Sequence, residues 1–203
     1  MNRFIIQLLA SALLVATLVN CQGQKDTAQA VQEEELEGID YTGEWESVVS
    51  ENLGNGTFGT RYFNLESEHW EVRFTLYLDS LQTMPVFEFR GVGPYEVEGK
   101  SETLEGVDNA IFHFDHKYVT LLTDNADLIN NFGFTACNLE TGVEKDITEE
   151  GCSFLVSKAV CGQEYDLLKL ENEQLFFGMR PAEGDMCAEE RRPTALFYPL
   201  KRK

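Results

Sequence analysis

His69-Trp70-Glu71-Val72-Arg73-Phe74-Thr75-Leu76-Tyr77-Leu78-Asp79 is the stretch that decides the fold class. Trp70, Val72, Phe74, Leu76 and Leu78 fall on one side of an extended chain. Glu71, Arg73, Thr75 and Asp79 fall on the other. Successive side chains of a strand point to opposite faces, so apolar residues recurring with period two mark a strand with one face in a core.

Shorter runs of the same kind lie on both sides of it. They are Tyr41–Val49, Phe58–Leu65, Val86–Arg90, Tyr95–Glu98, Ala110–Asp115, Lys117–Thr123, Asn131–Cys137, Cys152–Ser157, Tyr165–Leu170, Gln174–Met179 and Ala195–Leu200. Turn signals separate them, among them Leu53-Gly54-Asn55-Gly56, Gly91-Val92-Gly93-Pro94 and Glu171-Asn172-Glu173. The best helix candidate, Thr123–Asn131, is brief. The pattern predicts an all-β fold, an antiparallel lipocalin-like β-barrel of about 10–12 short strands with little helix. It occupies residues 40–203 as a single domain. A barrel is preferred to a sandwich because the chain is longer than an immunoglobulin-type sandwich and carries 14 Phe, 7 Tyr and 2 Trp. Barrels of about eight strands are wide enough for a side-chain core or one small ligand.

The residues ahead of that domain read as targeting. Arg3 precedes an apolar run from Phe4 to Val19, as in a secretory signal. Leu18-Val19-Asn20-Cys21 then resembles the lipobox of bacterial lipoproteins, which implies cleavage before Cys21 and lipidation of its thiol. The alternative is an uncleaved transmembrane anchor, and the run is near the lower length limit for a span. A cysteine ending the apolar run and followed by polar residues favours the lipoprotein. Residues 1–20 are then the signal peptide, and 21–39, polar and acidic, a flexible tether. The expected location is the cell envelope, lipid-anchored, facing the periplasm or the exterior. The formal net charge is −19, a surface that repels phosphate backbones and anionic headgroups, so nucleic acid is not an expected partner.

Besides Cys21 the chain has Cys137, Cys152, Cys161 and Cys187, an even number that suggests two disulfides in an exported protein. Three pairings are possible. Cys137–Cys152 with Cys161–Cys187 is preferred because each pair brackets a predicted hairpin. Zinc is the rival, but no C-x-x-C spacing occurs.

No assembled chemistry is visible. Nucleotide fingerprints, a G-x-S-x-G elbow and H-E-x-x-H are absent. His113 and Asp115 share a strand face with His116 at the following turn, a pattern as suited to a solvated strand end as to a metal. The acidic residues are too numerous to single out a catalytic pair. The reading is a non-enzyme without cofactor or metal.

Longer motifs resemble a known family. Gly43-Glu44-Trp45-Glu46-Ser47, Glu51, Thr60-Arg61-Tyr62-Phe63 and Trp70 are similar to the domain of the Wnt-antagonist family named for down-regulation by adenomatosis polyposis coli. Gly93-Pro94-Tyr95, Val143–Thr148 with Gly151-Cys152, Leu175–Pro181, Gly184–Cys187 and Arg191–Thr194 continue the likeness over roughly residues 40–202. The chain departs from it in having no cysteine between residues 40 and 100. The resemblance implies a lipocalin-like barrel whose apolar cavity accepts a lipid or acylated ligand. Trp45, Trp70, Phe74, Phe87, Phe89, Phe112 and Phe114 are the candidate wall residues. The alternative is a structural or interaction lipoprotein with a solid barrel core, partnered by another envelope protein.

Overall fold

Strand β4 (His69–Tyr77) sits at the centre of the sheet that the alternating stretch foretells, between β3 (Thr57–Leu65) and β5 (Pro85–Lys100). The structure is a computed structural model and describes residues 38–182 and 184–203. The expected signal, the lipidation site Cys21 and nearly all of the tether lie outside the described residues. The other strands are β1 (Gly43–Ser47), β2 (Glu51–Gly54), β6 (Asp108–His113), β7 (His116–Leu121), β8 (Glu144–Asp146), β9 (Gln163–Glu171), β10 (Gln174–Phe177) and β11 (Leu200–Arg202). All ladders between these strands are antiparallel.

Eight of them close a ring in the order β1, β3, β4, β5, β6, β9, β10, β11 and back to β1. The expected barrel is therefore present. Two further strands are continuations. β1 and β2 pair along the same side of β3, separated by residues 48–50, and β6 and β7 pair along the same side of β5, separated by Phe114 and Asp115. Gly93 permits that second break, because a Cβ there would collide with the His113 carbonyl. β2, β7 and β8 thus extend the wall past the closed ring at one end, here called the upper end.

Connections divide by end. The lower end has the turns after β3, β5 and β9 and the chain entry at Gly38–Thr42. Tyr41 plugs it, 2% exposed, with its hydroxyl donating to Asp108 at 2.5 Å. The upper end carries the long connections after β4, β7, β8 and β10. Both disulfides are there, Cys137–Cys152 and Cys161–Cys187, as preferred from the sequence. Such bonds fit an oxidising, non-cytoplasmic compartment. Among the described residues no helix is long and apolar enough to cross a membrane.

Several boundaries differ from expectation. Val86–Arg90 and Tyr95–Glu98 are parts of one 16-residue strand, because Gly91 and Gly93 lie within the ladder rather than in a turn. Asn131–Cys137 is not a strand. Helix α1 (Ala126–Asn131), capped by the Asn125 side chain, runs into a 3-10 turn over Phe134–Cys137. Cys152–Ser157 makes only the isolated bridge between Cys152 and Leu155, and the last strand begins at Leu200 rather than Ala195. In the 131–137 segment Phe132, Phe134 and Cys137 pack on the core from a helix end and a turn, so burial rather than strand pairing accounts for these apolar positions. Cys137 and Cys152 bracket turns and β8, not a hairpin, although their pairing is as expected.

Candidate functional site: the barrel interior and its upper rim

The inward faces are read directly from register. Across β3, β4, β5 and β7 one row is Gly59, Leu76, Phe87 and Leu121, and the next is Arg61, Phe74, Phe89 and Val119. Below them come Phe63, Val72, Gly91 and Lys117, then Leu65, Trp70 and Gly93. This single surface carries two apolar layers.

The lower layer fills the closed ring. Phe63 stacks on Phe177 with ring centres 3.9 Å apart, and Trp70 meets Phe112 at 4.8 Å and Phe114 at 5.2 Å. Trp45, Leu168, Leu175 and Leu200 complete it. The Trp45 and Trp70 indole N–H groups donate to the carbonyls of Tyr41 and His113, so these amphipathic rings are satisfied inside. The upper layer joins Leu76, Val86, Phe87, Val119 and Leu121 to Phe134, Ile147 and Cys152 from the overlying loops. Phe89 touches both layers.

The seven expected wall residues are therefore split. Trp45, Trp70, Phe112 and Phe114 belong to the lower layer and Phe87 to the upper, all buried. Phe89 is half-buried between them, and Phe74 is half-buried against the upper layer. Rings occupy the places where small residues would leave room. Phe74 comes within 2.7 Å of the position a Cβ would take on Gly59, and Phe114 within 2.6 Å of that on Gly91.

Four charged groups face this interior, Glu51, Arg61, Lys117 and Asp166, and sequence reasoning named Glu51 and Arg61 only as motif residues. Glu51 has no exposed surface and is held by Arg61 through Nε at 2.9 Å. Lys117 is 4% exposed. Its Nζ donates to the carbonyls of Cys161 at 2.6 Å and Val156 at 3.1 Å and lies 4.4 Å from the centre of the Phe114 ring. Burial pushes its pKa down. Asp166 on β9 accepts from the Leu167 and Gly178 N–H groups, and burial pushes its carboxyl up to about 7 against those two bonds. Three of them sit in step with apolar residues, and that was the available signal: Arg61 with Phe63 and Leu65, Lys117 with Val119 and Leu121, Asp166 with Leu168 and Leu170.

Two open clefts mark the outer surface. One, about 570 Å³, is lined by polar groups of Glu66, His69, Glu71, Asp115, His116 and Lys158 around the edge of Trp70. The other, about 380 Å³, runs along the Cys137–Cys152 bridge and Lys145, whose Nζ donates to the Cys137 carbonyl. His113, Asp115 and His116 are not brought together. His113 faces Glu96 at 3.3 Å, Asp115 faces Lys158 at 3.5 Å, and His116 faces Asp146 at 3.5 Å. Among the described residues the set of potential metal-ligating atoms that does converge is Cys161, Glu164 and Cys187, and its sulfurs form a disulfide.

No protein-family model matches the chain, and no curated protein does. The fold and the packing carry the functional argument alone.

Proposed function

We propose that this chain is a membrane-anchored, extracytoplasmic binding protein, not an enzyme, that engages an envelope partner through its surface while the barrel serves as a filled scaffold. The observation that carries this reading is the contact between Phe63 and Phe177 across the ring interior, continued by Trp70 between Phe112 and Phe114. Rings at van der Waals distance leave their neighbours fully packed, and opening such an interior for a guest forfeits those contacts. The charged interior groups support the same reading, because each is bound to protein partners rather than aimed at open space. The anchor follows from Cys21 in its lipobox-like setting, and the disulfides agree with export.

Native mass spectrometry of the gently purified chain is the test, together with a fluorescent fatty-acid probe and crosslinking in the intact envelope. The expected result is a chain without bound lipid, no change in probe fluorescence, and a reproducible crosslinked partner. A stoichiometric co-purified lipid overturns the filled-scaffold reading.

One observation favours a second reading, in which an apolar or acylated ligand enters the upper layer. Phe154 is 55% exposed yet lies 5.7 Å from Phe87 and 5.6 Å from Phe134, centre to centre. It therefore connects solvent to the upper layer, and displacing the 152–157 segment would open Phe87 to a guest. In this case the fatty-acid probe responds, and Phe154→Ser weakens the response.

A further inference from the structure

The upper end carries large apolar side chains that nothing in the fold covers. Leu81 is 80% exposed and Met84 51% in the connection between β4 and β5, Val143 is 49% exposed beside β8, and Phe154 is 55% exposed on the disulfide loop. Register places them at one end. Met84 and Leu78 exchange a backbone bond just above the Leu76 and Phe87 row, Gly142 donates to the Leu121 carbonyl of that row, and Phe154 contacts Phe87 itself. Isolated exposed apolar residues are ordinary on any surface, whereas several gathered over one end mark a contact site.

Acidic residues predominate around them. Segments 78–84, 122–144 and 147–157 contain Asp79, Asp124, Asp127, Glu140, Glu144, Glu149 and Glu150 and no Lys or Arg. Glu144 is engaged by Arg90, but Asp124, Asp127 and Glu140 are exposed. Of the cations that directly follow these segments, Lys145 is tied to the Cys137 carbonyl and Lys158 is paired with Asp115. Anionic headgroups are therefore repelled here. This charge turns the apolar crown from anionic headgroups towards a macromolecule bearing positive charge.

We propose that this acid-ringed apolar crown docks a cationic amphipathic polypeptide segment, with Leu81, Met84 and Phe154 gripping its apolar face and Asp124, Asp127 and Glu140 its Lys and Arg residues. This rests on the reading of the chain as a surface-binding protein and names the surface and the partner class. Apolar contacts supply most of the affinity in such an interface, and the charges supply association rate and selectivity.

The experiment titrates the full chain into a fluorescein-labelled amphipathic Leu/Lys peptide, following anisotropy. A Leu/Glu peptide of the same pattern, neutral phosphatidylcholine vesicles and a fatty-acid probe run beside it. The Leu/Lys peptide should bind and the other three should not. Leu81→Ser with Met84→Ser, in the β4–β5 connection that carries no cysteine, should weaken binding at least about tenfold. Asp124→Asn, Asp127→Asn and Glu140→Gln together should weaken it and flatten its decline with added salt. Equal binding of the Leu/Glu peptide, binding of vesicles or fatty acid instead, no binding of the Leu/Lys peptide, or no effect of the two variant sets overturns the inference. A partner crosslinked in the envelope at another face would refute the crown while leaving the surface-binding reading intact.

Discussion

Arg61 grips Glu51 through both carboxylate oxygens, at 3.0 and 2.9 Å from Nε, while Glu51 has no exposed surface. Ser47 donates to the same carboxylate, and Arg61 also reaches the Tyr198 carbonyl and lies over the Phe197 ring. The pair therefore ties β1, β2 and β3 to the segment leading into β11. Removing one partner leaves a buried charge without compensation, so Glu51→Leu should cost about 3–5 kcal/mol in urea unfolding. Arg61→Leu added to it should restore part of that loss. Additive costs for the two changes would show that the ion pair is not the source of the effect.

Strand register explains what the sequence could and could not disclose. The stretch from His69 to Asp79 announced its strand because one face is apolar and the other polar along its length. The same rule failed at Asn131–Cys137, where Phe132 and Phe134 are spaced like a strand but pack on the core from a helix end and a 3-10 turn. Periodicity reports which residues are buried, not what backbone carries them there. It also could not separate a lined cavity from a filled core, since Trp70 or Phe112 reads the same in either. That difference depends on contacts between rings on β3, β4, β6 and β10, distant in sequence, such as Phe63 with Phe177. Charged residues on apolar faces were legible in principle, and Arg61, Lys117 and Asp166 are the instances.

Asp166 makes stability depend on pH in a defined sense. Burial raises its folded carboxyl to about 7 from an ordinary value of 3.8, with Glu164 adding to the rise and the Leu167 and Gly178 N–H groups and Arg180 opposing it. Between those pH values the folded chain holds a proton that the unfolded chain has lost. The associated stability is therefore complete below about pH 4 and is lost as pH rises through 7, with a ceiling of about 4 kcal/mol. Asp166→Asn keeps an oxygen for the Leu167 and Gly178 N–H groups and carries no charge. Thermal melts from pH 4 to 8 should show wild type weakening relative to this variant as pH rises. Parallel curves for the two proteins would rule out Asp166 as the source.

Lys117 holds the disulfide-stapled loop down from beneath. Lys117→Met keeps the apolar stem and removes the ammonium, leaving the Val156 and Cys161 carbonyls without this donor. A lost bond of this kind to a buried group costs about 1–3 kcal/mol. Hydrogen exchange should rise in residues 152–161 while β9 and β10 stay protected. Uniform acceleration throughout the barrel would instead mean that Lys117 supports the whole fold.

The filled interior itself is the last expectation. Phe177 stacks on Phe63 and lies 5.6 Å from Phe112, so Phe177→Ala removes the ring that joins one wall to the other. Large-to-small changes at such sites cost about 3–5 kcal/mol because the surroundings collapse only partly into the space left. An apolar void of that size stays dry and takes up small apolar guests. Titration with benzene, followed by thermal shift, should stabilise Phe177→Ala and leave wild type unmoved, since only the variant has a vacancy. Equal stabilisation of both proteins would mean that the natural barrel already holds accessible space, and the surface-binding reading would yield to the apolar-ligand one.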